Sequence, residues 1–136
     1  MKIIIVGCGR TGIYMANELV QKGHEVTLVD INSAAFDKMD KNLPVRRIIG
    51  TGIDEDVLIR AGIKEADALF ALTKGDNTNA MIGQIAKFIY KIPKVIVRMA
   101  DYQSKQFYEE YLDLSCYCPS VISAQNYLEF LGETQY

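Results

Sequence analysis

Three glycines and one carboxylate carry the most visible chemistry in this chain. Gly7-Cys8-Gly9-Arg10-Thr11-Gly12 is a Gly-x-Gly-x-x-Gly run, and Asp30 closes the next apolar run about 20 residues on. This spacing suits a phosphate. Gly7 permits a tight turn, Gly9 lets the backbone approach a pyrophosphate, and Gly12 lets the following helix pack on the preceding strand. The free N–H groups and positive dipole end of that helix then face the anion. Asp30 offers an acceptor to ribose hydroxyls and repels a 2′-phosphate. Ile31-Asn32-Ser33 hold no arginine to reverse this, which favours NAD over NADP. NAD, ATP, ADP and AMP share the same free ribose, so Asp30 does not separate them. Taken alone, the same residues also fit a ligand-free glycine turn followed by a helix cap.

The elements that must position these groups are legible as an alternation. Lys2–Val6 is a β-branched run ended by Gly7, a strand buried on both faces. Residues 10–22 place Ile13, Ala16, Leu19 and Val20 on one helical face, with Gly23 as the stop. Strands are expected at 25–29, 44–49, 67–73, 94–99 and 115–118. Helices are expected from Asn32 or Ser33 to about Lys41, from Asp54 to Ala61, from Asp76 or Asn77 to about Tyr90, over 102–112, and from Pro119 to about Leu131. Each connection holds a helix and tight hairpins are absent, so the strands pair in parallel through right-handed crossovers. The fold class is α/β: a Rossmann-like, doubly wound sheet of six strands in the order 3-2-1-4-5-6, with helices on both faces. Residues 1–136 read as a single nucleotide-binding domain with no room for a substrate domain.

Composition narrows the function classes. The chain is 49% apolar with a formal net charge of -2, Lys+Arg numbering 15 against 17 Asp+Glu. No basic surplus exists to neutralise a nucleic-acid backbone. No apolar run approaches the ~18 residues of a membrane span, and no secretory signal is visible, so the expectation is a soluble cytoplasmic chain without direct membrane insertion. Cys8, Cys116 and Cys118 are odd in number and read as reduced thiols. Cys116-x-Cys118 has no second ligand cluster, so no metal site is expected.

The loop is specifically GCGRTG, and matching signals continue along the chain: Gly23-His24, Val29-Asp30-Ile31-Asn32, Ala61-Gly62-Ile63 with Glu65-Ala66-Asp67, Ala71-Leu72-Thr73 with Asp76 and Asn79, Val95-Ile96-Val97-Arg98, and Cys118-Pro119. From Met1 to about Leu131 the sequence resembles the N-terminal nucleotide-binding domain of the TrkA/KTN/RCK family, cytoplasmic regulators of potassium transporters and channels. The resemblance implies a non-enzymatic gating subunit that senses NAD(H) or ATP, ADP or AMP. It also implies a membrane potassium transporter or channel pore subunit as partner, and a place at the inner face of the cell membrane through that partner. By position it gives Gly7, Gly9 and Gly12 to the diphosphate, Asp30 to the ribose, and Thr73 to the far half of the ligand. Arg10 falls to a terminal phosphate or a neighbouring subunit. The candidate site is Gly7, Cys8, Gly9, Arg10, Thr11, Gly12, Asp30, Ile31, Gly50, Thr51, Thr73, Lys74 and Arg98. Gly50-Thr51-Gly52 departs from the Gly-Asp-Ala common in the family, removing a carboxylate near the adenine. The family's C-terminal lobe is not matched.

Catalysis has little support. The histidine His24 falls before the second strand, at the end of the sheet away from the ligand, and no Tyr-x-x-x-Lys pair lies on an expected helix. The alternatives are an NAD-dependent oxidoreductase and a stand-alone redox-sensing NAD(H)-binding module. The helix after the fourth strand carries two apolar stripes, Met81, Ile85, Phe88 and Ile92 beside Ile82, Ala86 and Ile89, and the next helix carries Phe107, Tyr108, Tyr111 and Leu112. One stripe covers the sheet. The other marks a homodimer interface through these helices, which the resemblance extends to a ring. The last helix, with Val121, Ala124, Leu128 and Leu131, is expected to dock on the sheet or on a neighbour.

Overall fold

In a computed structural model the chain describes residues 1–132; residues 133–136 of the expected unit lie outside the described residues. Six strands, β1 (Lys2–Val6), β2 (Glu25–Asp30), β3 (Arg46–Ile49), β4 (Ala68–Ala71), β5 (Lys94–Arg98) and β6 (Ser115–Tyr117), form one sheet in the order β3-β2-β1-β4-β5-β6. Every pairing is parallel, with Ile3 beside Val26 on one side and Ala68 on the other. The helices are α1 (Arg10–Gln21), α2 (Glu55–Arg60), α3 (Asp76–Gln84), α4 (Tyr102–Leu112) and α5 (Pro119–Phe130).

Side-chain alternation along β1 sets the layers. Ile3 and Ile5 pack with Ala16 of α1, Val26, Leu28 and Met39 on one face. Ile4 and Val6 pack with Val57 and Leu58 of α2 and Ala80 and Ile82 of α3 on the other. A strand covered on both sides can be apolar at every position, which is why Ile3-Ile4-Ile5-Val6 shows no polar alternation. The expected α/β class and strand order stand as found.

Several boundaries differ from the sequence expectation, each for a local reason. Asn32 does cap the segment after β2, its side chain accepting from the Ala34 N–H at 3.0 Å, but the segment is a 3-10 turn over Ser33–Lys38. It stops short of Lys41 because Met39 turns into the core beneath Cys8. β3 begins at Arg46 rather than Pro44, since proline has no N–H and the Val45 N–H turns back to the Leu43 carbonyl. β4 is shorter than 67–73, although the Asp67 and Leu72 N–H groups still bond the Lys2 and Val6 carbonyls. The long helix expected to Tyr90 leaves α-geometry at Gln84 and continues as a π-turn over Ile85–Ile89, ending at Lys91 with φ 57°.

The π-turn re-sorts the two stripes. Ile82, Ala86 and Ile92 are buried, whereas Met81, Phe88 and Ile89 are exposed. The wider turn rotates Ile89 out of the stripe it was assigned to and returns Ile92 to the core. No residue of α5 is buried, and Tyr127, Leu128, Phe130 and Leu131 are all exposed, so α5 does not dock on its own sheet.

Candidate functional site

The site grows from the end of β1. Gly7 takes φ 109°, and a Cβ there would lie 2.7 Å from the Leu72 backbone. At Gly12 a Cβ would lie 2.4 Å from the Gly7 carbonyl oxygen, so the first turn of α1 sits directly on the loop. Gly9 differs. Its backbone is extended (φ -90°, ψ -164°), it lines the cavity described below, and a Cβ there would meet no protein atom within 4 Å. The fold requires the outer two glycines; the middle one leaves open space.

α1 starts at this loop without a side-chain cap and with no acidic residue in its first turn. Its leading N–H groups are thus free of side-chain partners among the described residues, the arrangement that binds anions. α3 also starts without a side-chain cap, at Gly75. Asp76 or Asn77 was expected to supply a cap; neither side chain does, and Asp76 turns elsewhere. Its carboxylate instead accepts from the Ala100 and Asp101 N–H groups at 2.8 and 3.0 Å, tying α3 to the loop after β5.

Asp30 faces the glycine loop from β2. One carboxylate oxygen accepts from the Cys8 N–H at 2.8 Å, the other from the Asn32 N–H at 2.9 Å. A carboxylate has about four acceptor positions, so about two remain for a ligand, the number a ribose 2′,3′-diol donates to. Cys8 lies under the loop with its thiol against the Ala35 carbonyl and Met39 sulfur, both at 3.6 Å. Burial, followed by the Asp30 charge, pushes this thiol up to about 11, so it stays protonated near neutral pH.

Between these elements lies a cavity of about 710 Å³. Of the expected site residues it is lined by Gly7, Cys8, Gly9, Arg10, Asp30, Ile31, Gly50, Thr51, Thr73 and Lys74. Thr11 and Gly12 stay on the first turn of α1 outside the lining. Arg98 lies outside it too, its guanidinium donating to the Thr73 carbonyl at 3.4 Å from behind. Lys38 and Thr78 line the cavity without a sequence signal that singled them out, Lys38 being brought in by the 3-10 turn. The charged liners are Arg10, Lys38 and Lys74 against Asp30, and neither ion pair found among the described residues includes any of them. Ile31 is 74% exposed at the rim, an apolar surface of the kind a base stacks on. At Gly52 a Cβ would lie 2.7 Å from Val6 and Ile82.

A second hollow, of about 570 Å³, opens at the opposite end of the sheet beside His24, Arg46 and Glu65. Ligands of open parallel sheets bind at the carboxyl ends of the strands, and only the first cavity is there, at the β1/β4 switch point. Cys116 and Cys118 are buried, unlinked thiols, and burial pushes Cys116 up to about 11.

A sheet of this order, with a glycine loop after β1, a carboxylate at the end of β2 and a cationic cleft at the switch point, defines a Rossmann-like fold. The TrkA-N domain model matches residues 3–115, and the chain belongs to that family. It is 36% identical over 109 residues to the Trk system potassium uptake protein TrkA of Streptomyces coelicolor, covering 80% of this chain and 49% of that protein. It is 34% identical over 126 residues to a TrkA homolog of Pyrococcus abyssi, covering 93% and 56%. The chain thus spans about half the length of these relatives. Among solved structures, the TrkA-N domain of the inner membrane protein ybaL from Escherichia coli has a TM-score of 0.84 at 18% identity, covering 96% of each chain. The AMP-bound Kef C-terminal domain of Shewanella denitrificans has 0.78 at 22%, covering 98% and 83%. The GsuK channel bound to NAD has 0.67 at 17%, covering 78% and 19%. At these identities the structures speak for the fold.

Proposed function

We propose that this chain is a non-enzymatic regulatory module of a potassium transport system, one that binds NAD(H) or an adenine nucleotide (ATP, ADP or AMP) in the cavity between β1 and β4. One observation carries the reading: a carboxylate with spare acceptor capacity opposes three cations above an uncapped helix N-terminus. A ribose and two phosphates need that set. In this reading Asp30 holds the ribose, the α1 N-terminus the diphosphate, Ile31, Gly50 and Thr51 the base, and Arg10, Thr73 and Lys74 what lies beyond. The names of the TrkA relatives and the AMP and NAD of the two ligand-bound neighbours support it.

The partner is the pore subunit of a membrane potassium transporter or channel, reached from the cytoplasmic face. Among the described residues no helix is long and apolar enough to cross a membrane. Two copies pair through α3, the π-turn that follows it and α4, where Met81, Phe88, Phe107 and Tyr111 are exposed. Such pairs can close into a ring. Titration calorimetry with NAD, NADH, ATP and AMP tests the binding, and binding of none of them refutes it. Turnover of NADH by the purified protein would refute the non-enzymatic part.

A further inference from the structure

Asn79 is a wholly buried polar side chain, at 0% exposure, and all of its hydrogen-bonding capacity is spent. Its Oδ1 accepts from the Thr73 N–H at 3.0 Å and the Thr73 hydroxyl at 2.6 Å. Its amide nitrogen donates to the Thr73 and Arg98 carbonyls, both at 2.9 Å. A backbone N–H can only donate and a carbonyl can only accept, so the amide has one workable orientation. The hydroxyl of Thr73 in turn accepts from the Gly75 N–H at 3.3 Å. The segment 73–75, which brings Thr73 and Lys74 to the cavity, is therefore shaped by one side chain behind it.

We propose that Asn79 is a positioning residue that sets selectivity for long nucleotides over short ones, without touching the ligand. The proposal rests on the nucleotide reading above. Asp30 and the glycine loop lie on the β1–β2 side of the cavity and serve the ribose and first phosphate, which AMP and NAD share. Thr73 and Lys74 lie on the β4 side and serve what extends further. Asn79 bonds the second group and makes no hydrogen bond to the first. Its removal relaxes one half of the cleft and leaves the other intact.

The test is the ratio of two affinities, since general loss of structure lowers both. Asn79→Asp keeps the size but turns an N–H donor into an oxygen facing the Thr73 and Arg98 carbonyls; Asn79→Ser is the milder variant. For variants that melt cooperatively, calorimetry should show NAD weakened tenfold or more and AMP within about twofold of the parent chain. Hydrogen exchange on the unmodified protein supplies a readout that needs no variant. NAD should add protection at residues 73–76, and AMP should not. Equal loss of both nucleotides, or equal protection by both, overturns the role of Asn79 and leaves the site standing. An unmodified chain that binds neither nucleotide overturns the site and this proposal together.

Discussion

Replacing Asp30 by alanine tests three consequences of one carboxylate. The first is affinity. A hydrogen bond to an ionised acceptor contributes ~1.5–3 kcal/mol, which corresponds to about a 10- to 150-fold rise in Kd. Because the ribose is common to both ligands, AMP and NAD should weaken by the same factor, in contrast to the split expected at Asn79. The second is stability. The Cys8 N–H beneath the loop loses its 2.8 Å partner, and an orphaned buried donor costs roughly 1–3 kcal/mol, lowering Tm by several degrees. The third is the thiol. Burial is the larger cause of the raised Cys8 value and Asp30 the next, so the variant's thiol should titrate below its present value of about 11. Calorimetry with both nucleotides, a thermal melt and ultraviolet thiolate absorbance read the three in turn. Unchanged affinity for both nucleotides in a variant that melts cooperatively would refute the ribose assignment.

Gly9→Ala should leave Tm within a degree or two while weakening NAD, because its added Cβ meets only the cavity. Gly12→Ala, whose Cβ would sit 2.4 Å from the Gly7 carbonyl, should cost several degrees by the same melt. Cys8 and Cys116 both titrate near 11 when folded against 9.0 for a free thiol, so the native state holds those protons longer. Their contribution to stability is complete below pH 9 and is lost as pH climbs towards 11, which melts taken at pH 8 and pH 10.5 will show as a drop in Tm. Charging the exposed apolar face, as in Phe88→Glu with Phe107→Glu, should convert dimers to monomers in sedimentation; a monomeric parent chain at micromolar concentration defeats the pairing through α3 and α4.

The glycine loop, the carboxylate that bonds it and the strand order were legible because each is written in local terms. Gly7 and Gly12 are demanded by contacts a few residues away, and the order follows from an apolar run recurring between helices. Asp54 and Pro119 marked helix starts for the same reason. What escaped depends on partners distant in sequence or on a change of helical pitch. Asn79 stood in the sequence as one of the residues that carry the resemblance, but its structural part did not, because its bond to the Arg98 carbonyl reaches across to β5. A period of 3.6 residues cannot foresee a π-turn, so Ile89 was grouped with Ile82 and Ala86, which are buried, although it is exposed. Lys38 entered the cavity through a 3-10 turn where a regular helix was expected, and Arg98 sits behind Thr73 instead of facing the cleft.

The seam between β1 and β4 also has a temporal meaning. The partners of β1 lie at unequal distances along the chain: Lys2 pairs with Glu25, but Ile3 pairs with Ala68, which is synthesised much later. The half-sheet β3-β2-β1 can assemble early, with the glycine loop and Asp30 already in place and one wall of the cleft missing. Pairings this distant along the chain are the slow ones in folding. The far wall, with Thr73 and its buttress Asn79, arrives with the second half. A nucleotide bound as proposed and long enough to bridge the seam would recognise the finished molecule alone, so it should act chiefly on the rate at which the two halves come apart. Under the proposed nucleotide reading, occupancy of the cleft would then report that the chain has finished folding as well as which nucleotide is present.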